Sequence, residues 1–232
     1  IASSSALNAT AFTLAARVWI DSLAAPDKYI IARGLTNESE INYYLRKNGI
    51  SGDVLFGFTA GPSSYRELIV ATQLTTGSWI NLLATYDGAN QRLEKNGTET
   101  GSRAETGTPS TTAGQAFNLG CNLAGTGEFW DGRIAEVAVW NRVLNADERA
   151  AWAKGFSAAH FPRGRIVFLD MVREARNLAS SGVPTVTGTT AIEHPRILYP
   201  SRSKPTSAGV LYTQLERGIR GMNRGMSAGG YR

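Results

Sequence analysis

Residues 129–155 read FWDGRIAEVAVWNRVLNADERAAWAKG, an alternating segment followed by a helical one. Asp131-Gly132 is a tight-turn signal, and the residues after it alternate as an extended chain does. One face of that chain carries Trp130, Ile134, Glu136, Ala138 and Trp140, and the other carries Arg133, Ala135, Val137, Val139 and Asn141. Because both faces hold apolar side chains, the stretch predicts a central, largely buried strand.

The residues that follow change to a helical pattern. Asn145 can cap a helix whose third residue is Glu148, which is the capping-box arrangement, and Gly155 stands where a left-handed C-cap falls. We therefore expect a short helix over residues 146–154, held on the rest of the protein by Trp152.

Upstream, short apolar segments separated by turn residues predict further strands. They cover residues 12–20, 29–33, 41–46, 54–58, 68–71, 79–86 and 117–120. Lys47-Asn48-Gly49 predicts a hairpin, and the polar stretch 95–115 predicts an exposed loop or twisted hairpin edge with a turn at Asn96-Gly97. About ten to twelve strands with one late helix argue for a sandwich rather than a parallel α/β fold.

Three motifs in the chain resemble one known family. Two of them, residues 12–20 and 78–97, resemble the first core strand and the central hairpin of laminin G-like domains, which belong to the concanavalin A-like lectin/glucanase jelly rolls. The third resembles the closing motif of the family and reads Gly132-x-Ile134-x-Glu136-Val137-x-Val139-x-Asn141-Arg142-x-Leu144-x-x-x-Glu148. The resemblance implies an all-β, antiparallel jelly-roll sandwich with one short late helix and a C-terminal extension.

Charge and composition divide the chain into three parts. We expect a jelly roll over residues 1–155, a small β extension packed on it over 156–200, and a basic Gly/Arg-rich arm over 201–232. Residues 1–155 hold 13 Lys+Arg against 15 Asp+Glu, a net of −2, whereas residues 156–232 hold 11 against 4, a net of +7, which together give the formal +5. The phrase His194-Pro195-Arg196-Ile197-x-Tyr199-Pro200 resembles laminin G-like proteins of phages and prophages.

The arm has too little apolar content to fold alone, so we expect it to dock on a neighbouring subunit. Arginines would pair with carboxylates there, and apolar side chains would fill pockets. The predicted contact residues are Arg202, Lys204, Leu211, Tyr212, Arg217, Arg220, Met222, Arg224 and Met226. Nucleic acid is not expected as a partner, because aromatic side chains that could stack on bases are almost absent from the arm.

The residues argue against catalysis. The related β-glucanases carry Glu-x-Asp-x-Glu on one strand, since hydrolysis with retention needs two carboxylates about 5 Å apart. Here the corresponding strand reads Glu136-Val137-Ala138-Val139-Trp140, with a single carboxylate. We therefore expect no enzyme, and we interpret Glu136 as a structural hydrogen-bond acceptor.

Binding sites for calcium and sugar stay open as alternatives. Laminin G-like domains often carry Asp just before the Glu of the closing strand, where this sequence has Ala135, so no cofactor is predicted, although calcium is not excluded. Aromatic side chains that could stack on a sugar are Trp130, Tyr43, Tyr44 and Tyr65. The glycan hypothesis places Trp130, Asp131 and Asp87 at a sandwich rim.

The cysteine count and the apolar runs of the sequence bear on the cellular compartment of the protein. Cys121 is the only cysteine, so there is no internal disulfide, and a reducing compartment is favoured. No run of about 18 apolar residues predicts a membrane span.

The main hypothesis is a non-enzymatic structural protein of a phage virion, made in the host cytoplasm, acting as a capsid decoration or auxiliary head or tail protein. Its partners would be other virion subunits, such as a major capsid protein, in an oligomeric assembly. The alternative is a carbohydrate-binding adhesin or receptor-binding module.

Overall fold

The computed structural model describes residue 1, residues 4–171 and residues 195–200. The described part contains eleven strands and one α-helix, α1 (Ala146–Ala153). The strands are β1 (Phe12–Ile20), β2 (Lys28–Gly34), β3 (Ile41–Asn48), β4 (Asp53–Thr59), β5 (Tyr65–Val70), β6 (Ile80–Tyr86), β7 (Asn90–Lys95), β8 (Thr98–Ala104), β9 (Ala116–Leu119), β10 (Gly132–Trp140) and β11 (Arg165–Leu169).

The strands form two antiparallel sheets that pack face to face. The six-stranded sheet has the order β11-β10-β1-β6-β7-β8, and the five-stranded sheet has the order β5-β4-β3-β2-β9. Alternate residues of each sheet meet in one core, in which the Phe12 ring lies within 5.5–6.2 Å of four other aromatic rings. The predicted antiparallel jelly-roll sandwich with one short late helix is therefore confirmed.

β10 lies inside the six-stranded sheet between β1 and β11, as predicted. A β-bulge changes which side chains share its faces. Arg17 lies opposite Glu136 and Val18 opposite Ile134, so Ala135 has no partner on β1. The extra residue turns Ile134 toward the main core, whereas Glu136 faces outward. The prediction that Ile134 and Glu136 share a face was wrong for this reason.

The helix has the predicted caps. The Asn145 side chain accepts from the backbone N–H of Glu148, and the Glu148 carboxylate accepts from the backbone N–H of Asn145, each at 2.9 Å. Gly155 follows with φ +94°. Trp152 is buried under α1 and anchors it, as expected.

The polar stretch after residue 95 contains the exposed edge strand β8, joined to β7 by the turn at Asn96-Gly97. Both turn residues have positive φ, which is the geometry of the tight turns that join hairpin strands. The expectation of a hairpin edge is therefore confirmed.

The chain divides into the units Ile1–Tyr199 and Pro200–Arg232. In the first, β11 pairs with β10 and so extends the six-stranded sheet. Leu198 makes a parallel bridge with Phe156. Residues 172–194 and 201–232, with all nine predicted contact residues of the arm, lie outside the described residues. Within the described part, no helix is long and apolar enough to cross a membrane.

Candidate functional site

The structure does not bring the residues of the predicted rim together. Tyr86, which precedes Asp87, lies opposite Phe12 at the start of β1, and Gly132, which follows Asp131, lies opposite Ile20 at its end. The two acids are thus separated by the length of β1, roughly 26 Å. Asp87 accepts from the backbone N–H groups of Ala89 and Asn90, which is a turn-forming role.

Two of the predicted aromatic platforms are used inside the protein. Trp130 is half-buried against the main core, and its indole N–H donates to the Trp19 carbonyl at 3.1 Å. Tyr43 is fully buried, and its hydroxyl donates to the Leu7 carbonyl. The Tyr43 ring therefore offers no face to a ligand, and the Trp130 ring is partly used by the core.

The outer face of the six-stranded sheet holds a buried ion pair. Arg17 Nε donates to Glu136 Oε2 at 3.0 Å, and the guanidinium lies 3.8 Å from the centre of the Trp152 ring. Glu136 Oε1 accepts from the Ser157 hydroxyl at 2.6 Å and from the Ala158 N–H at 3.0 Å. Burial raises the pKa of the Glu136 carboxyl, against the opposing effects of the Ser157 hydrogen bond and the Arg17 charge.

These contacts confirm the interpretation of Glu136 as a structural acceptor. Its side chain is 0 % exposed, and donors of this chain contact both of its oxygens. Helix α1 and Leu198 lie beside it, because Arg17 also donates to the carbonyls of Trp152 and Phe156, and the Ser157 N–H donates to the Leu198 carbonyl. No substrate can reach this carboxylate in the described structure.

The outer face of the five-stranded sheet contains a cavity of about 220 Å³, which we call the tyrosine cavity. Three tyrosines, two glutamates, one arginine and one isoleucine line it. They are Tyr29, Glu38, Ile41, Tyr44, Arg46, Tyr65 and Glu67. The strands β2, β3 and β5 and the loop before β3 bring these side chains together.

Gly57 makes room for the central contact of the tyrosine cavity. The register places Tyr44 of β3 opposite Gly57 of β4, and Gly57 opposite Glu67 of β5. A Cβ at Gly57 would lie 3.0 Å from the Tyr44 hydroxyl oxygen. Because Gly57 has no side chain, the Tyr44 ring extends over β4, and its hydroxyl donates to Glu67 Oε1. Burial, and after it this hydrogen bond, raise the pKa of Tyr44.

Arg46 forms one wall of the cavity together with Tyr29. Arg46 Nη1 donates to Asp27 Oδ2 at 2.7 Å, and the guanidinium carbon lies 5.6 Å from the centre of the Tyr29 ring. Asp27 also accepts from the Gly49 N–H at 3.0 Å. The positive charge of Arg46 is therefore balanced within the protein.

Acidic groups lie on the side of the tyrosine cavity opposite Arg46. Tyr65 is 44 % exposed, and its hydroxyl donates to the Glu38 backbone carbonyl at 3.1 Å. Glu38 lies in the loop between β2 and β3 and has φ +59°, a left-handed conformation that is uncommon for residues other than glycine. Burial, together with the charge of Glu38, raises the pKa of the nearby Glu128 carboxyl.

The structure thus brings Tyr44 and Tyr65 together and adds five residues that the sequence analysis missed: Tyr29, Glu38, Ile41, Arg46 and Glu67. Period-two alternation could have placed Tyr44 with Arg46 and Tyr65 with Glu67, each pair on one face of its strand. It could not have supplied the register that aligns β3 with β5 across Gly57.

In the described part of the chain, no group of three or more His, Cys, Asp or Glu side chains is placed to hold a metal ion. Cys121 is half-buried, and burial raises the pKa of its thiol, which disfavours the reactive thiolate.

A protein-family model described as the concanavalin A-like lectin/glucanases superfamily matches residues 1–148. A search of curated protein sequences finds no match. Among solved structures, a sialidase CBM40 domain of Ruminococcus gnavus bound to α2,3-sialyllactose is similar, with TM-score 0.54, 16 % identity, and coverage of 63 % of this chain and 84 % of that chain.

Two further structures are similar. A putative carbohydrate-binding protein of Bacteroides ovatus has TM-score 0.55 and 17 % identity, with 73 % of this chain and 49 % of that chain covered. Domain 4 of an extracellular arabinanase of Geobacillus stearothermophilus, in complex with arabinotriose, has TM-score 0.52 and 19 % identity, with 64 % and 69 % covered. None of these three is a virion protein. The comparisons therefore fit the carbohydrate-binding alternative better than the virion hypothesis.

Proposed function

Because the chain belongs to the concanavalin A-like lectin/glucanases superfamily, we propose that it binds carbohydrate and that the tyrosine cavity is its sugar-binding site. The observation that carries this proposal is one concave site in which the exposed Tyr65 ring lies beside the buried rings of Tyr29 and Tyr44, two glutamates and Arg46. A sugar presents apolar C–H faces and polar hydroxyl edges, so it needs aromatic surface and hydrogen-bonding groups at the same place.

Each part of the cavity has a chemical role in this proposal. The partly exposed Tyr65 ring supplies a platform for one face of a sugar ring. The carboxylates of Glu38 and Glu67 accept hydrogen bonds from sugar hydroxyls. Tyr44 positions Glu67 through its hydroxyl, and Asp27 positions Arg46.

The size of the cavity limits the ligand. Its volume of about 220 Å³ lies below the roughly 300–1,000 Å³ of sites for drug-sized ligands. One sugar unit would enter the cavity, and the rest of a longer glycan would lie along the outer face of the five-stranded sheet. Such a site recognises a chain end or a side branch.

The three similar structures support the proposal by analogy. Two of their descriptions name bound saccharides, and the third names a putative carbohydrate-binding protein. The low sequence identity carries only the fold, so the site residues proposed for this chain come from its own cavity.

Binding of the purified chain to a glycan array, followed by titration calorimetry with the best ligand, tests this function. Saturable binding is expected, and Tyr65→Ala should weaken it by tenfold or more, which is about 1.4 kcal/mol. Loss of the exposed Tyr65 ring removes the platform but little of the packing, so the variant should keep its unfolding temperature.

Ile69→Ala is the matched control. Ile69 is 51 % exposed on β5 and does not line the cavity, so its removal should leave affinity unchanged. Absence of binding to every glycan, or equal affinity of the wild type and Tyr65→Ala, would show that the tyrosine cavity is not a sugar site.

A further inference from the structure

We infer that the tyrosine cavity selects saccharides that carry an ammonium group, such as unacetylated amino sugars, over neutral saccharides and over saccharides that carry a carboxylate. This inference rests on the proposed sugar-binding function and names the class of sugar. It follows from the charges, the hydrogen-bonding groups and the aromatic surface that the protein leaves unused.

The charge around the cavity is negative. Glu38 and Glu67 line it, and Glu128 lies near enough to Glu38 for their charges to interact. Arg46 is the single cationic residue of the lining, and its charge is balanced by Asp27 at 2.7 Å. Arg46 also interacts with the charges of Glu67 and Glu128, and Lys28 interacts with that of Glu128. These two cations face four carboxylates, those of Asp27, Glu38, Glu67 and Glu128, so an entering ligand meets net negative charge.

The hydrogen-bonding groups point the same way. Two of the three tyrosine hydroxyls of the lining already donate within the protein, from Tyr44 to Glu67 and from Tyr65 to the Glu38 carbonyl, and the third belongs to Tyr29, which is only 3 % exposed. By contrast, no described residue donates a hydrogen bond to the Glu38 carboxylate, and Glu67 uses only Oε1. The Glu38 carboxylate and Glu67 Oε2 are therefore unused acceptors, and an ammonium group, with three donors and no acceptor, matches them.

The aromatic rings add to this preference. Cations are attracted to the faces of tyrosine rings within about 6 Å of the ring centre. Arg46 already occupies the Tyr29 ring in this way, at 5.6 Å. Among the described residues no cation lies over Tyr65, whose ring is 44 % exposed and available to a ligand.

A sugar carboxylate would be disfavoured at the same site. It would enter beside Glu38 and Glu67, where like charges repel, and the one guanidinium of the lining, Arg46, already pairs with Asp27 through Nη1. The chain should therefore not share the sialyllactose ligand of the R. gnavus domain, although the folds are similar. The fold is common to both proteins, and the charge of the site decides the ligand.

Titration calorimetry of the full chain with three probes tests the inference. The probes are a glucosamine trisaccharide, the same trisaccharide with every amine acetylated, and 3′-sialyllactose. We expect the amine form to bind at least tenfold more tightly than the acetylated form, and sialyllactose to bind most weakly. The preference should shrink between about 0.05 M and about 0.5 M salt, because the Debye length falls.

Variants that remove one carboxylate charge test whether the preference for the amine form arises in the tyrosine cavity. Glu67→Gln should reduce the preference for the amine form by fivefold or more, because it removes one charge and keeps the shape of the side chain. Glu99→Gln is the matched control, since Glu99 lies on the exposed edge strand β8 outside the cavity. Equal losses in the two variants would mean that general surface charge attracts the amine, and this would overturn the inference.

The outcomes separate the two proposals. Equal affinity for the amine and acetylated forms, or tightest binding of sialyllactose, would overturn the inference and leave the sugar-binding function in place. Absence of binding to all three probes and to the glycan array would overturn both.

Discussion

The outer faces of the two sheets carry the same kinds of side chain and use them differently. On the six-stranded sheet, Arg17 lies between the Glu136 carboxylate and the Trp152 ring, and the side chains of the ion pair are 1 % and 0 % exposed. On the five-stranded sheet, Arg46 lies between Asp27 and the Tyr29 ring, and its ion pair is 18 % and 32 % exposed. One cluster is closed, and the other borders a cavity.

The covering elements explain the difference. Helix α1 lies over the first cluster and is tied to the six-stranded sheet by the Arg149–Glu94 ion pair at 2.7 Å and by the Asn81 amide, which donates to the Ala153 carbonyl. Once covered, every oxygen of Glu136 needs a donor from the protein, and the chain supplies three. In the described part, the second cluster has no covering helix. Beside it, in the tyrosine cavity, the Glu38 carboxylate and Glu67 Oε2 accept no hydrogen bond from a described residue.

The largest expected effect comes from breaking the closed cluster. Glu136→Ala leaves the Arg17 charge buried without its partner, and removing one member of a buried ion pair costs roughly 3–5 kcal/mol. The free energy of unfolding, measured by urea titration, should fall by this amount. Affinity for the sugar should not change in molecules that remain folded, because Glu136 lies on the opposite sheet.

An exposed ion pair provides the control. Glu99→Ala removes a partner of Arg92 at 3.8 Å, with both side chains at least 40 % exposed, and should cost at most about 1 kcal/mol. If Glu136→Ala cost no more than Glu99→Ala, the description of the Arg17 cluster as a structural device would be wrong.

A smaller effect is expected at the partly exposed Arg46–Asp27 ion pair. Asp27→Asn removes the charge that balances Arg46 but keeps a side-chain oxygen that can accept from the Gly49 N–H. Because the pair is partly exposed, the free energy of unfolding should fall by about 1 kcal/mol. The same change leaves the Arg46 charge free, so the penalty against 3′-sialyllactose should become smaller.

This variant tests whether the two faces really differ. A loss of stability as large as that of Glu136→Ala would show that the Arg46 cluster is structural too. Unchanged discrimination against sialyllactose would show that Asp27 does not control the charge of the tyrosine cavity.

The elements of the sandwich could be predicted because their signals are local. Alternation along Phe12–Ile20 and the caps Asn145 and Gly155 depend on near neighbours in the sequence, and the structure has both. The bulge at Ala135 was missed because it depends on the pairing of β10 with β1, which no pattern within one strand records.

The tyrosine cavity could be predicted only in part, for the same reason. Tyr44 and Tyr65 were recognised by residue type, but their neighbours come from other strands. The contact between Tyr44 and Glu67 depends on Gly57 between them, and that alignment is a property of the register of β3, β4 and β5. Composition suggested an aromatic rim at Trp130 instead, where the ring contributes to the core.

The smallest expected effect comes from two single carboxyl groups, Glu148 in helix α1 and Glu128 near the tyrosine cavity. Two hydrogen bonds from Arg142, at 2.7 and 2.6 Å, lower the pKa of Glu148 from its ordinary 4.5, whereas burial and the Glu38 charge raise that of Glu128. Glu148 therefore stabilises the fold above pH 4.5, and this contribution is lost as the pH falls through its lowered pKa.

The Glu128 carboxyl affects stability in the opposite direction. Because its pKa is raised in the folded protein, its stabilising contribution is fully present below pH 4.5 and is lost as the pH rises through the raised pKa. At about pH 7, Glu148→Gln should lower the free energy of unfolding by up to about 1 kcal/mol, and Glu128→Gln should raise it by a few tenths. Urea titrations at about pH 7 and about pH 3 should show both differences shrinking in acid, when the carboxyls are protonated. If both substitutions changed the free energy of unfolding in the same direction, the contrast between Glu148 and Glu128 would be wrong. A charged carboxylate held by fixed donors stabilises the fold, whereas a charged carboxylate crowded by another acid destabilises it.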